Sequence, residues 1–308
     1  MQKARPLILA TAATAFLWLG VGCAPIEEEA TPPASSAPVV TETPAPDRAV
    51  SDDIAGLEAQ YQARVGVSAL DTASGDSVQY RADERFGFAS TIKVFAAAAM
   101  LRQIPEDQRD ARLTWTPEEM VAAGYSPVAE EHLGTGMTIR EAAEAAVRRS
   151  DNTAMNLVLG RIGGPAGLDA ELVQLGDTTT EAIDSEPELN RVDPGSPANT
   201  TTPAAFTAAL HEVMRSDYLA PTDRAVLIEW MSGNATGDAL IRAGAPAGWE
   251  VADKSGGAGG MRNDIAIVTP PGRAPVILTV MTAKDDPAAA YEDELVAAVA
   301  RTVLSAFE

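Results

Sequence analysis

The chain has 308 residues, 46% of them apolar, and a formal net charge of −21. That length and apolar content suit one or two globular domains with a sizeable core. The charge argues against a nucleic-acid partner, which needs clustered Lys and Arg, and reads instead as a solubility feature.

The first 23 residues have the pattern of an export signal. Lys3 and Arg5 form a basic start, Pro6 to Val21 is apolar, and the segment ends at Gly22-Cys23. The apolar part is short for a stable membrane span. Cys23 is the only cysteine, so an intrachain disulfide is excluded. Its place after the apolar stretch resembles a bacterial lipoprotein cleavage site, with Leu19 four residues before it and Gly20 three before. The resemblance implies lipidation at Cys23 and an anchor in the cell envelope, on the outer face of the cytoplasmic membrane or in the periplasm. Ordinary secretion with cleavage nearby is the alternative. Residues 24–50 are rich in Pro, Thr, Ala and Glu, cannot bury enough apolar surface to fold, and read as a tether.

The folded part is expected from Ser51. Ser51 to Gln62 is a helix with Ile54, Leu57 and Tyr61 on one face. Alternating apolar residues flank Ser74-Gly75-Asp76, a hairpin pattern. Helical periodicity dominates from Ser90 to Met231. Thr138 and Glu141 form a capping box, Thr202-Pro203 opens a further helix, and Thr222 opens another. Three extended runs follow, WEVADKSG, DIAIVTP and PVILTVMTA, and a last helix is expected from Asp286-Pro287. The pattern predicts an α/β fold: a five-stranded antiparallel sheet from residues 51–85 and 232–308, flanked by the terminal helices. An all-helical lobe, residues 86–231, is inserted in it.

Candidate chemistry begins with lysine usage. The chain has four lysines, Lys3, Lys93, Lys254 and Lys284, against nineteen arginines. Lys93 lies one turn after Ser90 in FGFASTIKVFAAAAML, otherwise a run built for burial. At a helix start, unpaired N–H groups and the positive dipole end favour negative charge developing beside Ser90. A desolvated lysine on the same face can reach the hydroxyl and relay a proton, which an arginine cannot. An ordinary helix start with a snorkelling lysine is the plainer reading. Three more stretches stand out: Ser150-Asp151-Asn152 after a capped helix, SEPELN at residues 185–190 in a long irregular region, and Lys254-Ser255-Gly256 at a strand end. Helix capping alone explains Ser150-Asp151-Asn152 equally well. The two histidines, His132 and His211, are far apart, so neither a metal site nor a Ser-His-Asp triad is expected.

S-x-x-K, S-D-N, E-x-x-L-N and K-S-G, in that order, resemble the motif set of class A β-lactamases. The resemblance runs from about Leu57 to the C-terminus and includes YRADERFGFAST, GMTIREAAEAAVRRSDNTAMNLVLG and RNDIAIVTPP. It implies a monomeric, cofactor-free hydrolase that opens β-lactam rings through a serine acyl-enzyme and confers antibiotic resistance. Ser90 would be the nucleophile, activated by Lys93 alone or with Glu186 through a water. Ser150 would protonate the departing nitrogen. Asn152 would bind the substrate amide, and Lys254, Ser255 and Arg262 its carboxylate. Backbone N–H groups of Ser90 and Gly257, beside Gly256, would form the oxyanion hole. Tyr125 would line the entrance, and Glu186 with Asn190 would hold the hydrolytic water.

The chain departs from the family in three places. K-S-G, Lys254-Ser255-Gly256, replaces the commoner K-T-G, a change that keeps the hydroxyl. The segment between Gly256 and Arg262 is one residue shorter than usual, which bears on where Arg262 points. Asp184 and Asn199 stand where the family usually has an arginine and an aspartate that tie the loop carrying Glu186, so a looser loop is expected; the alternative is that Asp184 bonds the Asn199 amide or nearby backbone N–H groups and the loop is as rigid as any. Two other readings share the Ser-Lys chemistry, a D,D-peptidase or other penicillin-binding enzyme and a tethered β-lactam sensor that stays acylated. Glu186 with Asn190 argues against both.

Overall fold

The computed structural model describes residues 46–215 and 217–308. The export segment, Cys23 and the tether as far as residue 45 lie outside the described residues.

Strands β1 (Ala63–Asp71), β2 (Ser77–Tyr80), β3 (Glu250–Ala258), β4 (Met261–Thr269) and β5 (Val276–Lys284) form one sheet. Their order is β2-β1-β5-β4-β3, and every neighbouring pair is antiparallel. The β1–β2 hairpin closes as its sequence predicts. The Asp71 carboxylate accepts from Ala73 N and Ser74 N at 2.8 and 3.1 Å, and Gly75 takes the left-handed φ of +81° that the turn needs.

Period-2 alternation sends the two faces of the sheet to different apolar clusters. Val65, Val67, Ala69, Leu278 and Val280 pack beneath the terminal helices Pro46–Tyr61 and Asp293–Leu304. Ile277 and Met281 face the opposite way, into the cluster built by the inserted helices. Gly66 also lies on β1, where a Cβ would come within 2.4 Å of the Phe86 ring and 2.8 Å of Pro203. The helix Pro203–Arg215 can therefore press close to the strand.

The helix Lys93–Gln103 runs through the middle of the helical part and is buried from Lys93 to Leu101. It packs against helices Ile139–Arg148, Asn152–Ile162, Gly164–Gln174 and Pro221–Ser232. Its run of four alanines is explained by this crowding, since small side chains let several helices approach one axis. The predicted capping box is present: Glu141 N donates to Thr138 Oγ1 at 3.1 Å, and Thr138 N donates to Glu141 Oε2 at 2.7 Å.

Two boundaries differ from expectation. The first helix starts at Pro46, five residues before Ser51, because Val50 continues the buried face of Ile54 one turn earlier. The last helix starts at Asp293. Asp286-Pro287 instead opens a turn, in which Ala289 N donates to Asp286 O at 2.9 Å and Ala288 N to the Asp286 carboxylate at 2.9 Å.

Candidate active site

Ser90 lies in a short 3-10 turn, Ala89–Ile92, that feeds directly into the buried helix at Lys93. Ala89, just before it, has φ +45°, a sparsely allowed region for alanine. Strand β3 runs against this turn. A Cβ on Gly256 would lie 3.1 Å from Ser90 N and 3.0 Å from Thr91 N, tighter than an ordinary contact, so glycine lets the strand lie this close to the turn. On the neighbouring strand the Asn263 amide donates to Gly87 O at 2.8 Å and fixes the chain entering the turn.

Lys93 is fully buried, and its Nζ faces three acceptors: Ser150 O at 2.7 Å, Asn152 Oδ1 at 2.6 Å and Glu186 Oε1 at 2.8 Å. The expected bond from Lys93 to the Ser90 hydroxyl is not among them, because those acceptors occupy the three ammonium protons. Ser90 Oγ instead donates to Glu186 Oε1 at 3.5 Å. Burial holds the Lys93 ammonium below the ordinary lysine range, and the Glu186 and Asp151 charges partly offset it.

Glu186 enters this cluster from the long irregular segment. The Asn156 side chain grips its backbone twice, Nδ2 donating to Glu186 O and Oδ1 accepting from Glu186 N, each at 2.9 Å. Asn190 Nδ2 donates to the second carboxylate oxygen at 2.6 Å. The carboxylate thus spans Asn190 on one side and Lys93 with Ser90 on the other. Sequence reading did not single out Asn156. It stands four residues after Asn152, and its partner lies thirty residues away in a segment without periodicity.

Ser150 adopts φ +55° between two helices and accepts a hydrogen bond from Lys254 Nζ at 3.2 Å. Asp151 is wholly buried, and its carboxylate takes the N–H groups of Val128, Ala129 and Ala154 at 2.8, 2.9 and 2.8 Å. Capping is therefore the part Asp151 plays, and it turns its two neighbours toward the cleft. Asn152 N donates to Tyr125 O at 2.8 Å, which holds Tyr125, an exposed residue, at the rim.

Lys254 is also fully buried. Burial, reinforced by the Lys93 charge, pushes its ammonium down to about 7. Behind it, Asp253 is paired with Arg242 and Asn234, while burial and the Asp253 charge raise the Asp264 carboxyl well above the usual range. Ser255 Oγ shares a hydrogen bond with Thr236 Oγ1 at 2.6 Å. Arg262 turns toward the cleft despite the shortened hairpin, with its Nε donating to Asp293 Oδ1 at 2.6 Å.

A cleft of about 350 Å³ joins these groups, lined by Ser90, Tyr125, Ser150, Asn152, Asn190, Ser255, Gly256, Gly257 and Arg262. Lys93, Glu186 and Lys254 form the buried layer beneath. Every candidate catalytic or binding residue within the described range is therefore brought together. Thr236 and Tyr291 also line the cleft. No motif marked either one, since their only signal is contact with a distant strand.

Across the loop carrying Glu186 the contacts are those of the alternative reading, an Asp184–Asn199 bond in place of the ion pair. Asn199 Nδ2 donates to Asp184 Oδ2 at 2.8 Å, and Asn199 Oδ1 accepts from Ile183 N and Asp184 N at 3.3 and 3.2 Å. The backbone of Asn199 bonds Glu181 O at 2.8 Å and accepts from Phe88 N at 3.3 Å, two residues before Ser90. An amide can both donate and accept here, and its φ of +56° suits asparagine. Asn199→Asp would place two carboxylates together and should speed hydrogen exchange in residues 181–199 by at least roughly fivefold at neutral pH. Adding Asp184→Asn restores an amide–carboxylate contact and should return exchange to the parent rate. Parent-like exchange in the single variant would show that this contact does not hold the loop.

The model of the Beta-lactamase enzyme family matches residues 49–307. A beta-lactamase of Amycolatopsis lactamdurans is 48% identical over 271 residues, covering 88% of this chain and 89% of that protein. One from Bacillus licheniformis is 46% identical and covers 83% of each chain. The crystal structure of a class A beta-lactamase from Clostridium kluyveri superposes with a TM-score of 0.82 at 42% identity, over 84% of this chain and 99% of that one. Taken with the five-stranded antiparallel sheet and the motifs converging on Ser90, these likenesses establish that the chain belongs to the beta-lactamase family, as an enzyme of the class A type.

Proposed function

We propose that the chain hydrolyses the β-lactam ring of penicillin- and cephalosporin-type antibiotics through an acyl-enzyme on Ser90, conferring resistance. The observation that carries the reading is the shared carboxylate: Glu186 Oε1 lies 3.5 Å from Ser90 Oγ and 2.8 Å from Lys93 Nζ. The nucleophile and a lysine that burial shifts toward neutrality are thereby linked through the hydrolytic base. Ser90 Oγ attacks the ring carbonyl, its proton passing into the Lys93–Glu186 pair. The ring C–N bond breaks, and Ser150, bonded to Lys254, returns a proton to the nitrogen. Ser90 N–H and Gly257 N–H stabilise the developing oxyanion. Lys254, Ser255 and Arg262 receive the carboxylate, Asn152 receives the acyl amide, and Tyr125 forms the rim. Glu186 and Asn190 then hold and deprotonate the water that releases the product.

The D,D-peptidase and sensor readings both require an acyl-enzyme that persists, and the Glu186–Asn190 contact disfavours them. A chromogenic cephalosporin offered in hundredfold excess should be consumed completely by purified protein. Consumption of a single equivalent would overturn hydrolysis in favour of a sensor or peptidase. We further infer export and anchoring through a lipidated Cys23. No helix among the described residues is long and apolar enough to cross a membrane. A monomer is the state we infer, as the resemblance to the family implies.

A further inference from the structure

The segment between β5 and the last helix brings to the cleft a side chain that none of the motifs supplies. Because the helix starts only at Asp293, the chain reaches it through a turn and a short irregular stretch carrying Tyr291. The ring stands against the cleft wall, with Cε1 3.3 Å from where a Cβ on Gly257 would lie. The Arg262 guanidinium sits 5.0 Å from the ring centroid. Asp293 accepts its Nε proton at 2.6 Å, and Thr236 O lies 3.4 Å from Nη2. Three groups thus fix the guanidinium, and its side chain is only 13% exposed. Tyr291 beside it remains 38% exposed as a residue. The nearby cleft residues Ser255, Gly256, Gly257 and Thr236 are all small, so this ring is the broad apolar surface at the arginine end.

We propose that Tyr291 is a specificity-determining wall of the cleft, taking the substituent that a β-lactam carries on the carbon next to its carboxylate-bearing carbon. The inference rests on the functional reading above, in which Arg262 helps to hold the substrate carboxylate. With the carboxylate at Arg262, a substituent on the adjacent ring carbon extends toward the neighbouring aromatic face. A flat heteroaryl group can stack there, whereas a small alkyl or ester group covers less of the ring. Gly257 keeps the slot open, since a side chain there would meet both the ring and Arg262 Nη1, the latter at 3.1 Å. Asp293 acts one step back, as a positioning residue that holds the arginine against the ring.

The test uses two cephalosporins with the same acyl side chain, one bearing a heteroarylthiomethyl group and the other an acetoxymethyl group at that carbon. Tyr291→Ala should lower kcat/KM for the heteroaryl compound by roughly three- to tenfold more than for the acetoxymethyl compound. Most of the loss should appear in KM. Tyr291→Phe keeps the ring and should keep the parent ratio between the two substrates. Thermal unfolding of both variants checks that the fold is retained. An equal loss on both substrates, or a Phe variant that behaves as the Ala variant does, would overturn the assignment. Failure of the parent protein to turn over either cephalosporin would overturn the functional reading itself, and this inference with it.

Discussion

Glu186→Ala is expected to accept one acyl group from a penicillin and to keep it. The reason lies in how the carboxylate is divided. Its Oε2 is held by Asn190 Nδ2 at 2.6 Å, and its Oε1 by Lys93 Nζ at 2.8 Å, close to Ser90 Oγ. A water delivered to an acyl group on Ser90 would have this carboxylate as its base, so removing it should slow deacylation by at least ~10²–10⁴-fold. Acylation has a second route. Burial already lowers the Lys93 ammonium, and the Glu186 charge is the chief influence opposing that shift. Without Glu186 the lysine moves further toward its neutral form and can take the Ser90 proton itself. Intact-protein mass spectrometry should therefore show a stoichiometric adduct on Ser90 lasting for hours. A variant that turns over at the parent rate would exclude Glu186 as the hydrolytic base. One that never acylates would show that Lys93 cannot act alone.

The contrast between acylation and deacylation also marks what the sequence can reveal. Ser90 and Lys93 are visible because three residues of helical spacing place them on one face, and because lysine is rare in a chain rich in arginine. The sheet is visible in the alternation that flanks the Ser74-Gly75-Asp76 turn and in three extended runs bounded by Gly and Pro, and the capping box at Thr138 in four residues of local chemistry. The contacts that complete the site are between segments far apart in the chain. Lys93 meets Glu186 and Asn152 rather than Ser90 because a buried ammonium takes the strongest acceptors within reach. Tyr291 reaches the cleft only because Asp286-Pro287 opens a turn and delays the helix, although a Pro after Asp is an equally good helix start on local grounds. Asp184 and Asn199 looked like two halves of a lost ion pair. An amide that donates to the carboxylate while accepting from two backbone N–H groups closes the loop without opposite charges.

Lys93→Arg should slow acylation of Ser90 by several orders of magnitude while leaving the positive charge in place. General base catalysis alone is typically worth ~10²–10⁴-fold, and the geometry adds a second loss. The ammonium sits in a fully buried pocket whose three acceptors stand at 2.6, 2.7 and 2.8 Å, a spacing matched to a compact tetrahedral donor. A planar guanidinium is larger, spreads its five donors in a fork, and cannot meet the same three atoms without moving Ser150 or Asn152. It also stays protonated at any working pH, so it cannot accept the Ser90 proton however strongly burial opposes its charge. Lys93→Met gives the complementary case, removing the charge from a side chain of similar length. If the charge alone served the reaction, by stabilising the oxyanion or lowering the Ser90 hydroxyl, Arg would be active and Met inactive. If proton transfer is what the position supplies, both should be slow, and Arg should gain nothing over Met. Single-turnover rates of penicillin acylation, measured for both variants in the Glu186→Ala background so that adducts accumulate, separate the two accounts. Circular dichroism and thermal unfolding check that each variant has kept its fold. An arginine variant that acylates within a few-fold of the Glu186→Ala parent would mean that Lys93 serves Ser90 as a fixed charge and that its proton never moves.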